Sequence, residues 1–145
     1  MTDIKLVEAK KIIAAAFEKA ADLGLKPLSV AILGASGSLK ALECQDGTSL
    51  MRPKIAHGKA FGAISMGMGS RSLFERAEVQ PYFISAMNSL ADGALVPVPG
   101  GVLIRSQDGQ LLGAVGITGD TSDNDEACAI AGIEAVGFIA DPGGS

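Results

Sequence analysis

The spacing of apolar positions near the start of the chain is helical. Apolar side chains recur every three or four residues, at Leu6, Ala9, Ile13, Phe17 and Ala20. This period places them on one face of an α-helix. Thr2 or Asp3 is the candidate N-cap, because a short polar side chain can accept hydrogen bonds from the free amides of a first turn, and Gly24 is expected to end the helix.

Short apolar runs bounded by turn residues predict strands after this helix. Residues 28–33 and 39–45 flank a turn at residues 34–37, so they are expected to form a hairpin. Residues 93–98 are predicted to form a further short strand. Pro97 indicates an edge position for that strand, since proline has no amide N–H to donate to a neighbour.

The last third of the chain carries the clearest local signal. Residues 102–105 and 111–117 are apolar and flank Asp108-Gly109, a dipeptide typical of tight hairpin turns. A helix rich in small residues is expected over residues 122–139. The pattern therefore predicts a closing hairpin followed by a helix.

The remaining segments complete a mixed architecture. A helix is predicted over residues 50–66, and residues 70–77 and 81–91 are expected to form shorter helices or turns, whereas residues 141–145 are expected to be a loose tail. The order of elements, with hairpin-length connections, predicts a mostly antiparallel sheet covered by helices.

Composition narrows the class of protein. The chain has 145 residues, of which 48% are hydrophobic and 19% charged, so we expect a single folded domain over residues 1–145 rather than a disordered chain. The formal net charge is −4 and the basic residues are scattered, which argues against a nucleic-acid partner.

No segment is typical of membrane insertion or export. No window approaches the roughly 20 apolar residues of a membrane span, and no secretory signal pattern is present, so a cytoplasmic protein without a membrane partner is expected. Cys44 lies in a strand pattern and Cys128 in a helix pattern. Both are expected to be buried thiols rather than a disulfide.

The acidic segment before the last helix predicts a helix cap. Asp125 stands where a calcium-binding loop needs glycine, so that loop is excluded. Ser122 with Asp125, or Asp123 with Glu126, is expected to satisfy the free amides of the helix. The glycines of the preceding strand do not match a dinucleotide or phosphate-loop fingerprint.

Several motifs occur in an order that resembles a known family. They are Gln45-Asp46-Gly47-Thr48, Ile55-Ala56-His57-Gly58-Lys59-Ala60, Pro99-Gly100-Gly101 and Gly113-Ala114-Val115-Gly116-Ile117-Thr118-Gly119, followed by Asp125-Glu126 and Ala131-Gly132. With them the chain resembles the GlcG/HbpS-like family, also called the haem-degrading or DUF336 family, which includes the C-terminal domain of PduO-type proteins. The resemblance implies an α/β/α sandwich on a five-stranded antiparallel sheet, self-association into dimers or higher homo-oligomers, and binding of haem.

Candidate site residues lie in the second predicted helix and the closing hairpin. His57 is the candidate iron ligand, and the alternative is a surface or interface histidine. Lys59 and Arg52 are seven residues apart and share a helix face, so they could hold haem propionates, or they could be ordinary surface cations. Gly100 and Gly101 are expected to form a turn with positive φ and to offer N–H groups to an anion. Together these residues predict a glycine-floored recess beneath the helix.

Three functions remain open from the sequence. The first is binding of haem or a related tetrapyrrole, with sensing or degradation of haem as further roles. The second is a metal-independent enzyme for a small carboxylate, in which Lys59 and Arg52 orient the acid and Asp125 or Glu126 moves protons; Lys59 is itself a catalytic candidate. The third is an oligomeric interaction module without catalysis.

Overall fold

A five-stranded antiparallel sheet lies between two layers of helices in the computed structural model, which describes residues 3–144. The helices are α1 (Leu6–Leu23), α2 (Arg52–Met66), α3 (Ser70–Val79), α4 (Pro81–Leu90) and α5 (Ser122–Ala135). The strands are β1 (Ser29–Gly34), β2 (Leu39–Cys44), β3 (Gly101–Arg105), β4 (Leu111–Thr118) and β5 (Ile139–Asp141). The mixed α/β sandwich predicted from the sequence is confirmed.

The strand order is β2-β1-β4-β3-β5, and every neighbouring pair is antiparallel. The two predicted hairpins are present as β1–β2 and β3–β4. All positions of β1 are buried, whereas β2 at the edge is mostly exposed. None of the helices among residues 3–144 is both long and apolar enough to cross a membrane.

One face of the sheet is covered by α1 and α5, which enclose the larger hydrophobic core. The two helices approach closely at Gly132, where an added Cβ atom would lie 2.6 Å from the main-chain oxygen of Ile12. Gly24 ends α1 as predicted, in the left-handed conformation at φ 66°.

The other face is covered by α2, which lies directly on the glycines of the closing hairpin. A Cβ atom at Gly116 would overlap the Ala56 carbonyl oxygen, and one at Gly101 would overlap the Lys59 carbonyl oxygen. Backbone therefore packs against backbone, and the space of the predicted recess beneath the helix is filled by α2 itself. That prediction was wrong because the small residues on both sides permit direct contact.

The short helices α3 and α4 form a unit beside α2. Leu73, Ile84 and Leu95 make a hydrophobic cluster of their own, separate from the two clusters on the sheet. Ser70 links this unit to the sheet, because its hydroxyl donates to the Val98 carbonyl oxygen (2.6 Å) and accepts from the Gly101 amide (2.7 Å).

The predicted strand at residues 93–98 is wrong. The segment is irregular and crosses α2, where the Val96 amide donates to the Gly58 carbonyl oxygen at 3.3 Å. The fifth strand is β5, in a region predicted as the end of a helix and a loose tail. Gly137, at φ 83°, follows the end of α5, so the chain can turn and pair with β3.

The predicted cap of α1 also differs from the structure. Thr2 lies outside the described residues, and the Asp3 carboxylate accepts from the Ala35 amide (2.8 Å) at the β1–β2 turn instead. The N-cap residue is Lys5, whose amide donates to the Glu8 carboxylate at 2.9 Å. Asp3 therefore forms a hydrogen bond with a distant part of the chain and does not cap α1.

At α5 the cap is Thr121, whose hydroxyl accepts from the Asn124 amide at 3.2 Å. The predicted capping pairs were wrong because the Asp125 and Glu126 carboxylates bind cations on other elements. Thr121 has the same type of short hydroxyl side chain that the prediction required, one residue earlier.

The two cysteines are both free thiols, but only one is buried. Cys128 packs in the larger core, and burial, with a smaller contribution from the Asp125 charge, raises the pKa of its thiol to about 11. Cys44 is exposed, contrary to the prediction, because it lies at the end of the edge strand β2, whose residues are mostly exposed.

Candidate functional site

His57 lines a groove of about 460 Å³ on the outer side of α2. The groove walls are largely apolar, with Leu42, Met51 and Val96 among them, and Lys54 supplies a positive charge. Neither His57 nor Lys54 takes part in an ion pair among residues 3–144. An imidazole and an ammonium group are thus placed side by side in an apolar setting.

The His57 ring is held by an aromatic neighbour one turn further along α2. It stacks on the Phe61 ring, with centroids 5.7 Å apart and an interplanar angle of 15°. Residues four apart lie on the same helix face, so this contact follows from the sequence spacing. The stacking restricts the orientations open to the imidazole.

The opposite wall of the groove is the irregular segment that follows α4. Asp92 (φ 55°) and Gly93 (φ 80°) both adopt the left-handed conformation, which turns the chain back toward α2. The segment then passes so close to Gly58 that a Cβ atom there would overlap the Val96 side chain. The glycine beside His57 is therefore what allows this wall to form.

Lys59 lies on the opposite side of α2 and is buried, with 2% of its side chain exposed. Its Nζ donates to the Ile117 carbonyl oxygen (2.9 Å) and to the Asp125 carboxylate (3.3 Å). Asp125, with 1% exposed, also accepts from the Asp120 amide at 3.0 Å. This is a fully enclosed ion pair between α2 and α5.

Burial shifts the pKa of each partner in the direction that favours its neutral form. Desolvation lowers the pKa of Lys59, although Asp125 opposes the shift. Desolvation likewise raises the pKa of Asp125, and here Lys59 opposes it. In each case the loss of water outweighs the attraction of the partner.

Arg52 shares a helix face with Lys59, as the spacing predicted, and this face is turned to β4. Its Nη1 donates to the Thr118 hydroxyl at 2.8 Å. Neither cation lines the groove that contains His57. The expectation that Lys59, Arg52 and His57 surround one ligand was wrong, because His57 is on the other side of α2.

The glycines of the closing hairpin lie against Lys59. Gly100 has the positive φ that was predicted, 124°, and a Cβ atom there would be 2.9 Å from the Lys59 Nζ. Gly101 begins β3 without a positive φ, and its amide is already bonded to the Ser70 hydroxyl, so the prediction that it would offer this N–H group to an anion was wrong. Both glycines pack against the buried lysine, and neither lines the groove that contains His57.

Glu126 is bound by a residue that the sequence analysis did not select. Arg71 at the start of α3 donates from Nε to Glu126 (3.0 Å) and from Nη2 to Asp123. These hydrogen bonds, above all the one that Glu126 accepts, raise the pKa of Arg71. No local pattern could indicate the pair, because 55 residues separate its members.

The described residues limit how a metal could be held. Among residues 3–144, no group of three or more His, Cys, Asp or Glu side chains could hold a metal ion. Haem would place a smaller demand on the protein, since the porphyrin itself supplies nitrogen ligands and a single side chain could hold the iron. The apolar groove with a single imidazole fits that demand.

Comparisons with known proteins agree with the fold and the motifs. A family model described as haem degrading protein HbpS-like matches residues 4–134. No curated protein sequence matches the chain.

Several solved structures are similar over almost the whole chain. A PduOC–haem complex has a TM-score of 0.84 and 25% identity, covering 94% of this chain and 97% of that one. A double mutant of Streptomyces reticuli HbpS has a TM-score of 0.79 and 26% identity, covering 94% and 89%. The Klebsiella pneumoniae protein ORFY, of family DUF336, has a TM-score of 0.82 and 22% identity, covering 92% and 90%; at this identity it shows the fold alone.

Proposed function

The chain belongs to the HbpS-like family, and from this membership we propose that it binds haem or a related tetrapyrrole in the groove on α2, with His57 as the iron ligand. The observation that carries the proposal is the placement of the His57 imidazole in an apolar groove beside the Lys54 ammonium group. A haem has the matching features: apolar faces, an iron that accepts an imidazole and carboxylates at one edge.

Size and charge support this assignment. The groove volume of about 460 Å³ lies within the range of roughly 300–1,000 Å³ that is usual for small-molecule sites. Lys54 would hold a propionate, in place of the Lys59 and Arg52 side chains considered from the sequence. Phe61 stacks on the imidazole and would keep it oriented toward the iron.

Similarity to a solved haem complex supports the same function. The PduOC structure contains haem, and its chain is 25% identical to this one with almost complete coverage of both. When bound, haem would supply an iron centre for electron transfer or for binding of a small ligand. Sensing or degradation of haem would each begin from this bound state.

Titration with haemin, followed by the Soret absorption, tests the proposal. We expect a saturable shift for the native chain. His57→Ala should weaken binding by more than about tenfold, or about 1.4 kcal/mol, and change the position of the band, because the iron loses its protein ligand. Lys54→Gln should weaken binding by up to about fivefold, since a partly exposed ion pair contributes little.

The matched control for Lys54→Gln is Lys10→Gln, which removes an exposed lysine from α1, far from the groove. It should bind haemin like the native chain. A Soret shift that His57→Ala leaves unchanged would show that the iron is not bound by this histidine and would overturn the assignment.

A further inference from the structure

A second recess lies beside the start of α2 and shares no lining residue with the groove of His57. Its volume is about 210 Å³. This is less than half the volume of the groove that contains His57, so the recess suits only a small molecule. Its lining residues include Lys26, Thr48, Ser49, Arg52 and Gly119.

The residues that line the recess carry two positive charges, on Lys26 and Arg52, and two hydroxyl groups, on Thr48 and Ser49. Lys26 and Arg52 are absent from the ion pairs among residues 3–144. The Asp120 carboxylate, next in the chain after the lining residue Gly119, is already engaged by the Lys26 amide at 3.1 Å and by donors at the start of α5. These hydrogen bonds, first that from Asn124, lower the pKa of Asp120 to about 2. The Lys26 charge makes the smallest contribution to this shift, so both cations remain available to an anion.

Arg52 is pre-positioned for recognition rather than mobile on the surface. It is half-buried, and one guanidinium nitrogen is tied to the Thr118 hydroxyl, which leaves its other N–H donors free. Ser29 is the cross-strand partner of Thr118 and so lies on the same face of the sheet. Its hydroxyl oxygen is buried and has no hydrogen-bond partner among the described residues. A further polar group is therefore buried next to Thr118, the residue that Arg52 contacts.

We propose that this recess binds a small carboxylate, with Arg52 as the principal contact and Lys26 as the second charge. The planar guanidinium matches a carboxylate through two parallel hydrogen bonds. A guanidinium group can also pair with phosphate, but a phosphate site at a helix start draws in addition on free backbone amides. Here Pro53 has no amide N–H, and the Arg52 amide donates to the Ser49 carbonyl oxygen at 3.1 Å.

Isothermal titration with acetate, pyruvate and malonate, and with inorganic phosphate for comparison, tests the proposal. We expect saturable binding of at least one carboxylate in the millimolar range. Arg52→Gln should weaken it by about ten- to a hundredfold, because hydrogen bonds between charged groups are lost. Arg52→Lys keeps the charge but loses the paired hydrogen bonds, so binding should also weaken, to an intermediate degree.

Lys26→Gln should weaken carboxylate binding by up to about fivefold, and the exposed-lysine control Lys10→Gln should leave it unchanged. Because Lys26 is exposed, this variant tests the site even if a substitution at Arg52 disturbs folding. Three results would overturn the proposal: no saturable binding of any carboxylate, phosphate binding tighter than every carboxylate, or binding that is the same in Arg52→Gln and the native chain.

Discussion

Lys59 and Asp125 illustrate what burial does to two ordinary charged residues. Lys59 falls in a motif of the family and was considered as a ligand contact, yet its ammonium group is enclosed between α2, β4 and α5. A buried ion pair is costly to form, but removing one partner leaves an isolated charge, which costs more. The role that the structure supports for this lysine is to connect the two helical layers through the end of the sheet.

This arrangement predicts strong coupling in a double-mutant cycle. Lys59→Met and Asp125→Asn should each lower the free energy of unfolding by about 3–5 kcal/mol, because each leaves its partner buried and unpaired. The double variant should be far more stable than the sum of the two losses predicts, since neither charge remains. Asn at position 125 can still accept from the Asp120 amide. Urea denaturation of the four proteins measures the coupling.

The control for this cycle is a pair on the surface. Lys40 and Asp3 are 3.8 Å apart and partly exposed, so their coupling should be below about 1 kcal/mol. Additive effects of the Lys59 and Asp125 substitutions would contradict the interpretation that the two groups depend on each other.

Among the elements, α2 contributes residues to both proposed ligand sites. Its small residues allow it to lie directly on the sheet, and this contact leaves its two sides to form separate sites. The apolar groove with His57 is on one side, and the recess with Arg52 is on the other. A helix of the same length with larger residues facing the sheet would lie further from the sheet. Both the groove and the recess would then have a different shape.

The contact between α2 and the sheet predicts a severe effect of Gly116→Ala. The added methyl group would overlap the Ala56 carbonyl oxygen, and neither backbone can move without shifting α2. We expect a loss of more than about 3 kcal/mol, at or above the upper end of the usual cost of overpacking. Thermal or urea unfolding measures it.

Gly109→Ala is the matched control for steric overlap. Nothing lies within 4 Å of a Cβ atom at Gly109, although its φ is 84°, so only the left-handed conformation is penalised, by about 1–2 kcal/mol. Equal losses for the two variants would mean that the close contact at Gly116 does not limit stability.

Across the whole molecule, the three hydrophobic clusters stabilise their parts of the fold unequally. Two clusters lie on opposite faces of the sheet, each enclosed between the sheet and the helices that cover it. The α3–α4 unit depends on a smaller cluster around Leu73, Ile84 and Leu95. The segment after α4 forms a wall of the His57 groove. The least supported part of the fold therefore adjoins the proposed haem site.

Hydrogen exchange should reveal this difference in local stability. Amides of α3 and α4 are expected to exchange by local opening, at a lower free energy than those of β1 and β4, because fewer buried contacts must be broken. The internal control is α5, a helix that packs into the larger core and should exchange with the sheet. If α3 and α4 were protected as strongly as α5, they would belong to the same cooperative unit.

Much of the fold could be predicted from local pattern. The period of α1, the two hairpins and the positive φ of Gly100 depend on neighbours in the chain, and the structure agrees with each. The strand at residues 93–98 was wrong because apolar content alone does not show that a segment will cross a helix. β5 was missed because three residues carry too little pattern to separate a strand from a helix end.

The candidate site could be predicted only in part, and the reason is physical. Sequence spacing determines which residues share a helix face, so it correctly grouped Lys59 with Arg52. It does not determine which face meets the sheet when both carry small and polar residues. Packing of glycine backbones decided that, and it buried Lys59 against Asp125, tied Arg71 to Glu126 and left His57 in the groove. The sequence by itself thus determined the elements and the chemistry available, and the tertiary structure alone decided which groups stay open to a ligand, because burial depends on contacts between distant parts of the chain.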